Sequence, residues 1–323
     1  MTMLFGLILT MLRPPSLKYV PVFPITSFFA VGAIIVSIMK WTGQDLSLLY
    51  MDNQVWYRWQ IWRAITSVFP HVSFFHLAFN LYWLWTFGTV VERVYGHFRC
   101  LLIYLLLGAG SMLAEFTVLD GGIGLSGIGY GLWGMLMMLE RHDPRFADVV
   151  DRQTNQTFVV WFVLCIVLTF TNIMPVANIA HGVGALMGML LGLAMVGNSS
   201  VKSLSSVALV ALCCGILLGA TVFWPWVNIS GQAGDDIEQA GVMALEQDHN
   251  PHRAIELLTI AAHKPHAVAR YWHNLGVAYL QLNQFENARA AYERAAQMPD
   301  ASSEDQRSAV SINQAFSIGP TNR

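Results

Sequence analysis

The sequence predicts an all-α fold: a polytopic membrane helix bundle, with a six-helix core and a seventh span, followed by a small soluble helical-repeat tail. Only 12% of the 323 residues are charged, well below the roughly 25% of soluble domains. Seven apolar segments approach the roughly 20 residues that cross a bilayer. The charged residues cluster between the apolar segments and in the last ninety or so residues. The net charge of −2 indicates no nucleic-acid partner.

The predicted spans alternate with short polar loops, at 22–41, 71–91, 99–119, 124–140, 157–174, 178–197 and 203–227. Lys and Arg concentrate before span one and after spans two, four and six, which is typical of cytoplasmic loops. We therefore expect a cytoplasmic N-terminus. If the seventh span crosses the bilayer, the C-terminal tail lies outside, whereas a false seventh span would leave it in the cytoplasm.

Composition divides the chain into five parts. They are an N-terminal tail (1–21), a six-helix membrane domain (22–200), a seventh transmembrane helix (201–227), a linker (228–236) and a helical tail (237–323). The linker is predicted from its glycines and its paired aspartates.

The tail contains a repeat. Its second copy is carried by Trp272, Leu275, Gly276, Tyr279, Ala288, Tyr292 and Ala295. This spacing resembles the tetratricopeptide family, and the resemblance implies a protein partner for the tail. The first copy, 34 residues earlier, is weaker, because Val242 stands where the repeat has glycine and Gly241 comes one place early. A final helix is expected at 303–316.

Two polar side chains lie inside the spans at one end of the bundle. Ser126 is at the outer end of span four and His181 is near the outer end of span six. Serines are common in membrane helices, and Ser126 alone would indicate packing. An ionisable residue within the bilayer instead indicates function. Since both ends face the same side, we predict that Ser126 and His181 lie at similar depth.

Glycines give these two helices the means to approach each other. Gly124 and Gly127 flank Ser126, while Gly184 and Gly188 follow His181. Small residues at four-residue spacing let helix backbones pack closely. Ser126 is then predicted to be a nucleophile and His181 its general base.

Neighbouring side chains complete this prediction. Tyr130 shares the face of Ser126 and can stack on the imidazole of His181. A third acid is not evident: Glu115 is the nearby carboxylate, and it either orients the base or faces water or a neighbouring helix. His76 and Asn80, four residues apart in span two, could donate to an oxyanion together with the Ser126 amide, or could form an interhelical polar contact.

The ordered set of motifs resembles the rhomboid family of intramembrane serine proteases. The motifs are H-x-x-x-N in span two, G-x-S-G in span four and A-H-x-x-G-x-x-x-G in span six. Trp62-Arg63, His71, Glu92 and Tyr130 also match. The resemblance implies a Ser–His dyad, an oxyanion site at His76 and Asn80, and transmembrane proteins as substrates. It also implies an integral multi-pass protein, which we expect in a bacterial inner membrane. Alternatives are a catalytically inactive relative that binds membrane proteins, and a transporter or channel.

The first loop, 42–70, is rich in aromatic residues. It carries Trp56, Tyr57, Trp59 and Trp62, which prefer the membrane interface. Arg63 is expected to support the loop by hydrogen-bonding to its carbonyls.

We expect no metal and no cofactor, because the H-E-x-x-H motif is absent and the histidines show no ligand spacing with carboxylates.

Overall fold

In the computed structural model, which describes residues 17–52 and 60–317, every regular element is a helix. The all-α prediction is therefore confirmed. The chain forms two compact units, Met1–Thr117 with Gly121–Val222, and Val118–Asp120 with Phe223–Arg323. The opening run Met1–Leu12 and the loop aromatics Trp56, Tyr57 and Trp59 lie outside the described residues.

The first unit contains eight α-helices in its described part. They are α1 (Pro24–Trp41), α2 (Arg63–Thr66), α3 (Phe74–Tyr95), α4 (His97–Val118), α5 (Ser126–Glu140), α6 (Arg152–Phe170), α7 (Asn178–Val196) and α8 (Ser199–Ala220). Five of them, α1, α4, α6, α7 and α8, are long and apolar enough to cross a membrane. Predicted spans two and four correspond to α3 and α5.

Burial divides these helices into inner and outer ones. In α4, 56% of the membrane-length window is buried, against 17% in α6 and α8. On α6, Val159, Val163 and Val167 are about half exposed and recur every four residues. Exposing a continuous apolar face of this kind to water is unfavourable, whereas such a face is typical of a helix that contacts lipid.

Helix α5 lies at the centre of the first unit and is short. Most of its 15 residues are buried, from Gly127 to Leu139. It packs lengthwise on α7, and both helices run in the same direction because Gly184 meets Gly127 and Gly192 meets Met135. The N-termini of α5 and α7 therefore lie side by side.

Helix ends differ from the predicted boundaries where local chemistry intervenes. Helix α6 begins at Arg152, because the Asp151 carboxylate accepts from the Thr154 amide at 2.7 Å and caps it. The seventh span was predicted to run to residue 227, but α8 ends at Ala220. The chain then turns into the short α9 (Trp224–Val227), whose second residue is Pro225. Proline fits the start of a helix, because the amide that it lacks would have no partner inside that helix.

The second unit is a helical array. After α9 come α10 (Gly231–Glu246), α11 (Pro251–Ala262), α12 (Ala269–Gln281), α13 (Phe285–Ala296) and α14 (Ser303–Ser317). The predicted linker 228–236 is helical from Gly231 onward, because the Ser230 hydroxyl accepts from the Ala233 amide and caps α10. Helix α14 corresponds to the expected final helix.

The displaced glycine of the first repeat has a structural explanation. Gly276 on α12 packs against the Tyr292 ring, and Gly241 on α10 packs in the same way against Leu258. The turn joining α10 to α11 is one residue longer than the turn joining α12 to α13. Moving the glycine one place earlier offsets this extra residue, so both helix pairs keep the same close approach.

Candidate active site

Ser126 and His181 meet at the adjoining N-termini of α5 and α7. The Oγ of Ser126 and the Nε2 of His181 are 2.7 Å apart, within hydrogen-bonding distance. His181 is 4% exposed, whereas Ser126 is half-buried. A hydroxyl bonded to an otherwise enclosed imidazole is the arrangement that lets the ring take up the hydroxyl proton.

Tyr130 holds the imidazole from the side. Its ring stacks on His181 with a centroid distance of 4.6 Å and an interplanar angle of 23°. The Tyr130 hydroxyl donates to the carbonyl of Phe158 at 3.3 Å, and the Phe158 ring meets Tyr130 edge-on. The imidazole plane is thus fixed through α6 as well as α5.

Backbone contact between α5 and α7 brings the two side chains together. A Cβ added at Gly184 would overlap the carbonyl oxygen of Gly127, and one at Gly188 would overlap that of Gly131. Only glycine allows two helices to touch at such points. Gly127 itself faces Ser111 on α4, a contact that no spacing in the sequence indicated.

The turn before Ser126 is held by His71. Its Nε2 accepts from the Leu125 amide at 3.3 Å, while Nδ1 lies 2.9 Å from the Phe69 carbonyl. These two bonds assign the proton to Nδ1. The Gly124 amide donates to the Ser67 carbonyl at 3.1 Å. The residue preceding the serine is therefore fixed by a buried imidazole rather than left as a mobile loop.

Replacing Gly124 with alanine is expected to reduce activity at least tenfold. Gly124 has φ +107, and an added Cβ would lie 2.9 Å from Cε1 of His76, so backbone strain adds to a clash beside the nucleophile. Gly43→Ala is the matched control, since Gly43 has φ +80 and its Cβ would meet no described atom within 4 Å. Turnover per folded protein should fall only in Gly124→Ala. Equal turnover in both would refute this explanation.

The two predicted oxyanion donors lie one turn apart on α3, where His76 is half-buried and Asn80 is buried. His76 borders Gly124, and its ring meets that of His71 edge-on at 4.8 Å. The Asn80 amide nitrogen donates to the carbonyl of His76 on its own helix at 2.8 Å. One hydrogen of that amide group remains available for another acceptor.

The side chains of Trp62 and Arg63 make their hydrogen bonds within the first loop. Arg63 is 3% exposed. Its guanidinium donates to the carbonyls of Ser47 and Tyr50 and to the Asp52 carboxylate at 2.6 to 2.8 Å. Trp62 is 46% exposed, and its indole donates to the Leu48 carbonyl at 3.3 Å. Both side chains bind the loop to itself.

Acidic groups near the Ser126–His181 pair contact the protein backbone and not the imidazole. Within the described ranges, His, Cys, Asp and Glu form no group of three or more that could hold a metal ion. The Glu115 carboxylate accepts from the Ala180 amide at 2.8 Å. The Nδ1 atom of His181 has no hydrogen-bond partner among the described residues. Glu115 therefore contacts the backbone of α7 rather than the imidazole.

Comparison with known proteins matches two families. A rhomboid domain matches residues 58–198 and a tetratricopeptide repeat matches residues 269–302. The chain is 30% identical over 250 residues to the protein named "Rhomboid protease GluP" of Bacillus subtilis (strain 168), covering 76% of this chain and 47% of that protein. It is 29% identical over 182 residues to "Rhomboid protease GlpG" of Salmonella typhi, covering 53% of this chain and 62% of that protein. The chain thus spans about half to three fifths of these curated relatives.

Proposed function

Because the chain carries a rhomboid domain and a tetratricopeptide repeat, we propose that it is an intramembrane serine endopeptidase that cleaves transmembrane-helix substrates near the outer face of the membrane. The observation that carries this proposal is the 2.7 Å distance between Ser126 Oγ and His181 Nε2. A catalytically inactive relative would have no need to keep both partners in hydrogen-bonding distance.

The proposed reaction begins with proton transfer from Ser126 to His181. The freed Oγ attacks the scissile carbonyl carbon, and the carbonyl π electrons move onto its oxygen. The Ser126 amide and the donors of His76 and Asn80 then stabilise this oxyanion. His181 returns the proton to the leaving amine, and the C–N bond breaks. Water, deprotonated by His181, hydrolyses the acyl-enzyme and restores the Ser126 hydroxyl.

The length of α5 supports cleavage within the bilayer. At about 1.5 Å per residue, its 15 residues rise only about 22 Å, less than the roughly 30 Å hydrocarbon core. If Glu140 and Arg141 lie at the inner interface, Ser126 is recessed several ångströms below the outer surface. Water must then reach the hydroxyl through an opening between helices. A substrate helix must unwind there, since its scissile carbonyl is otherwise held by its own hydrogen bonds. Its proposed entry is beside α6 and the loop 171–177 that joins α6 to α7.

The test is cleavage by purified protein of a reporter that contains a single transmembrane helix. We expect a defined pair of fragments from the wild type and none from Ser126→Ala. The same Ser126→Ala protein, crosslinked in membranes, should retain uncut substrates that can be identified. Equal fragment yields from both proteins would contradict the proposal.

The protein is an integral membrane protein, and we place the tail on the same membrane face as Ser126. Near the C-terminal end of α8, an added Cβ at Gly219 would meet the Thr117 side chain near the C-terminal end of α4. The Thr117 hydroxyl also lies 3.5 Å from the Ile216 carbonyl. The α4 helix ends only a short loop before Ser126, so the chain leaves the membrane unit at the Ser126 end. With a cytoplasmic N-terminus, that end is outside the inner membrane.

Protease treatment of intact spheroplasts tests this orientation. Trypsin should degrade the tail at its exposed basic residues without detergent, while the loop carrying Arg141, Arg145 and Arg152 should be cut only after permeabilisation. A tail that is protected in intact spheroplasts and cut after lysis would place it in the cytoplasm. We propose that the tail binds a protein on the outer side, as its tetratricopeptide repeat suggests.

A further inference from the structure

A buried glutamate from a different helix caps the histidine helix. Glu115 lies on α4 and is 2% exposed. Its Oε2 accepts from the Ala180 amide at 2.8 Å, across 65 residues of sequence. This amide belongs to the first turn of α7 (Asn178–Val196), immediately before His181.

Helix α7 needs an external acceptor. The first amides of a helix have no partner within it, and Ala180 is fully buried, so its amide needs an acceptor from the protein. The residue preceding α7 is Ala177, whose side chain has no oxygen. The neighbouring helices α6 and α8 begin instead after Asp151 and Asn198, whose side chains cap them. The histidine helix therefore takes its N-terminal acceptor from α4.

The capped turn also touches the serine helix. A Cβ added at Gly127 would lie 3.7 Å from the carbonyl oxygen of Ala180, so the first turns of α5 and α7 are in contact there. A shift of Ala180 would move His181 relative to Ser126. Because the Nδ1 atom of His181 has no partner in the described part of the chain, the position of the ring depends on its backbone and on Tyr130.

We infer that Glu115 is a positioning residue for the proposed hydrolysis: it holds the first turn of α7, and thereby keeps Nε2 of His181 at hydrogen-bonding distance from Ser126. It acts through the backbone and not on the ring. This inference rests on the proposed function. It gives a carboxylate a role in the site although the sequence shows no third member of a triad.

The chain contains a matched control for this role. Glu92 is also buried, and its carboxylate accepts from the amides of Ile25 and Thr26 at 2.9 Å, both in the first turn of α1. Helix α1 carries neither Ser126 nor His181. Losing either glutamate removes a helix cap, but only Glu115 caps the helix that carries the imidazole.

The experiment compares Glu115→Ala, Glu115→Gln and Glu92→Ala in the full-length protein. For each variant, kcat and KM on a transmembrane reporter, the rate of fluorophosphonate labelling and Tm are measured. We expect Glu115→Ala to lower kcat and labelling about 30- to 100-fold with KM within twofold, since an ångström of misplacement can cost on the order of 10². Glu115→Gln keeps an acceptor oxygen and should recover kcat to within about tenfold of wild type.

Glu92→Ala should lower Tm at least as much as Glu115→Ala, because the Glu92 carboxylate also contacts the Thr26 hydroxyl and the His97 imidazole, but it should leave kcat per folded protein within about twofold. A kcat equally reduced in Glu92→Ala and Glu115→Ala would make Glu115 merely structural. An equally impaired Glu115→Gln would exclude the backbone role. If Glu115→Ala does not fold, Glu115→Gln and Glu115→Asp decide the question through the same kcat-to-KM comparison.

Amide hydrogen exchange separates this inference from the proposed function. Mass spectrometry should detect faster exchange at residues 179–181 in Glu115→Ala than in wild type and Glu92→Ala. Unchanged exchange would overturn the capping role whatever the activity. If the wild-type protein neither cleaves the reporter nor reacts with the fluorophosphonate, the proposed protease function is rejected. Faster exchange in Glu115→Ala would still support the capping role in that case.

Discussion

Replacing either Ser126 or His181 with alanine is expected to lower the rate of cleavage at least ~10⁴-fold, and replacing both should lower it no further. The reason is that the two groups act as one unit: the hydroxyl attacks only if the imidazole takes its proton across the 2.7 Å contact. Rates of reporter cleavage should be measured for the two single variants and the double variant, each at matched amounts of folded protein.

The control for this series is Ser206→Ala on α8, whose hydroxyl bonds to the Lys202 carbonyl of its own helix. It should cleave at the wild-type rate. Losses that multiply in the double variant would mean that Ser126 and His181 act independently, which is incompatible with proton transfer between them.

Replacing Gly188 or Gly184 with valine is expected to reduce cleavage at least ~10²-fold. Each added side chain would overlap a carbonyl oxygen of α5, that of Gly131 or Gly127. The helices must then separate, and a displacement of about an ångström at the nucleophile can cost on the order of 10² in rate. Alanine at either position should be impaired as well, because the clash begins at Cβ.

Gly215→Val is the matched control, because a Cβ at Gly215 on α8 would meet no described atom within 4 Å. Cleavage rate and Tm should be compared in one detergent. We expect Gly215→Val to remain active, and Gly188→Val to lose activity even under conditions where it stays folded. Full turnover in Gly188→Val would mean that close packing of α5 on α7 is not needed to join Ser126 and His181.

The helices and the approximate place of the site could be read from the sequence. A span is predicted from a long apolar run, because the bilayer imposes its length whatever the neighbours are. The similar depth of Ser126 and His181 follows from the topology, because each lies near the outer end of its span. The glycines at four-residue spacing then indicate which faces can touch.

What the sequence did not indicate depends on packing between distant segments. Glu115 contacts Ala180 across 65 residues, and neither local spacing nor composition shows which helix end a carboxylate will reach. The contact of Gly127 with Ser111 has the same character. Helix α8 ends at Ala220 although the following residues are still apolar. The length of the apolar run therefore predicts a longer span than the structure contains.

The repeat in the tail shows a further limit of fixed-period alignment. Counting 34 residues back from Gly276 reaches Val242, whereas the close contact with the partner helix is made by Gly241. Contact geometry is conserved between the two helix pairs while the turn length changes. The repeat period therefore predicts which helix is equivalent, but only the packing shows which glycine contacts the partner helix.

Fluorophosphonate labelling of the purified protein, followed by mass spectrometry of the modified peptide, tests the Ser126–His181 pair most directly. We predict a single adduct on Ser126, absent in Ser126→Ala and formed at least ~10²-fold more slowly in His181→Ala. An adduct on another residue, or labelling of Ser126 at an unchanged rate without His181, would contradict activation of the span-four hydroxyl by the span-six imidazole.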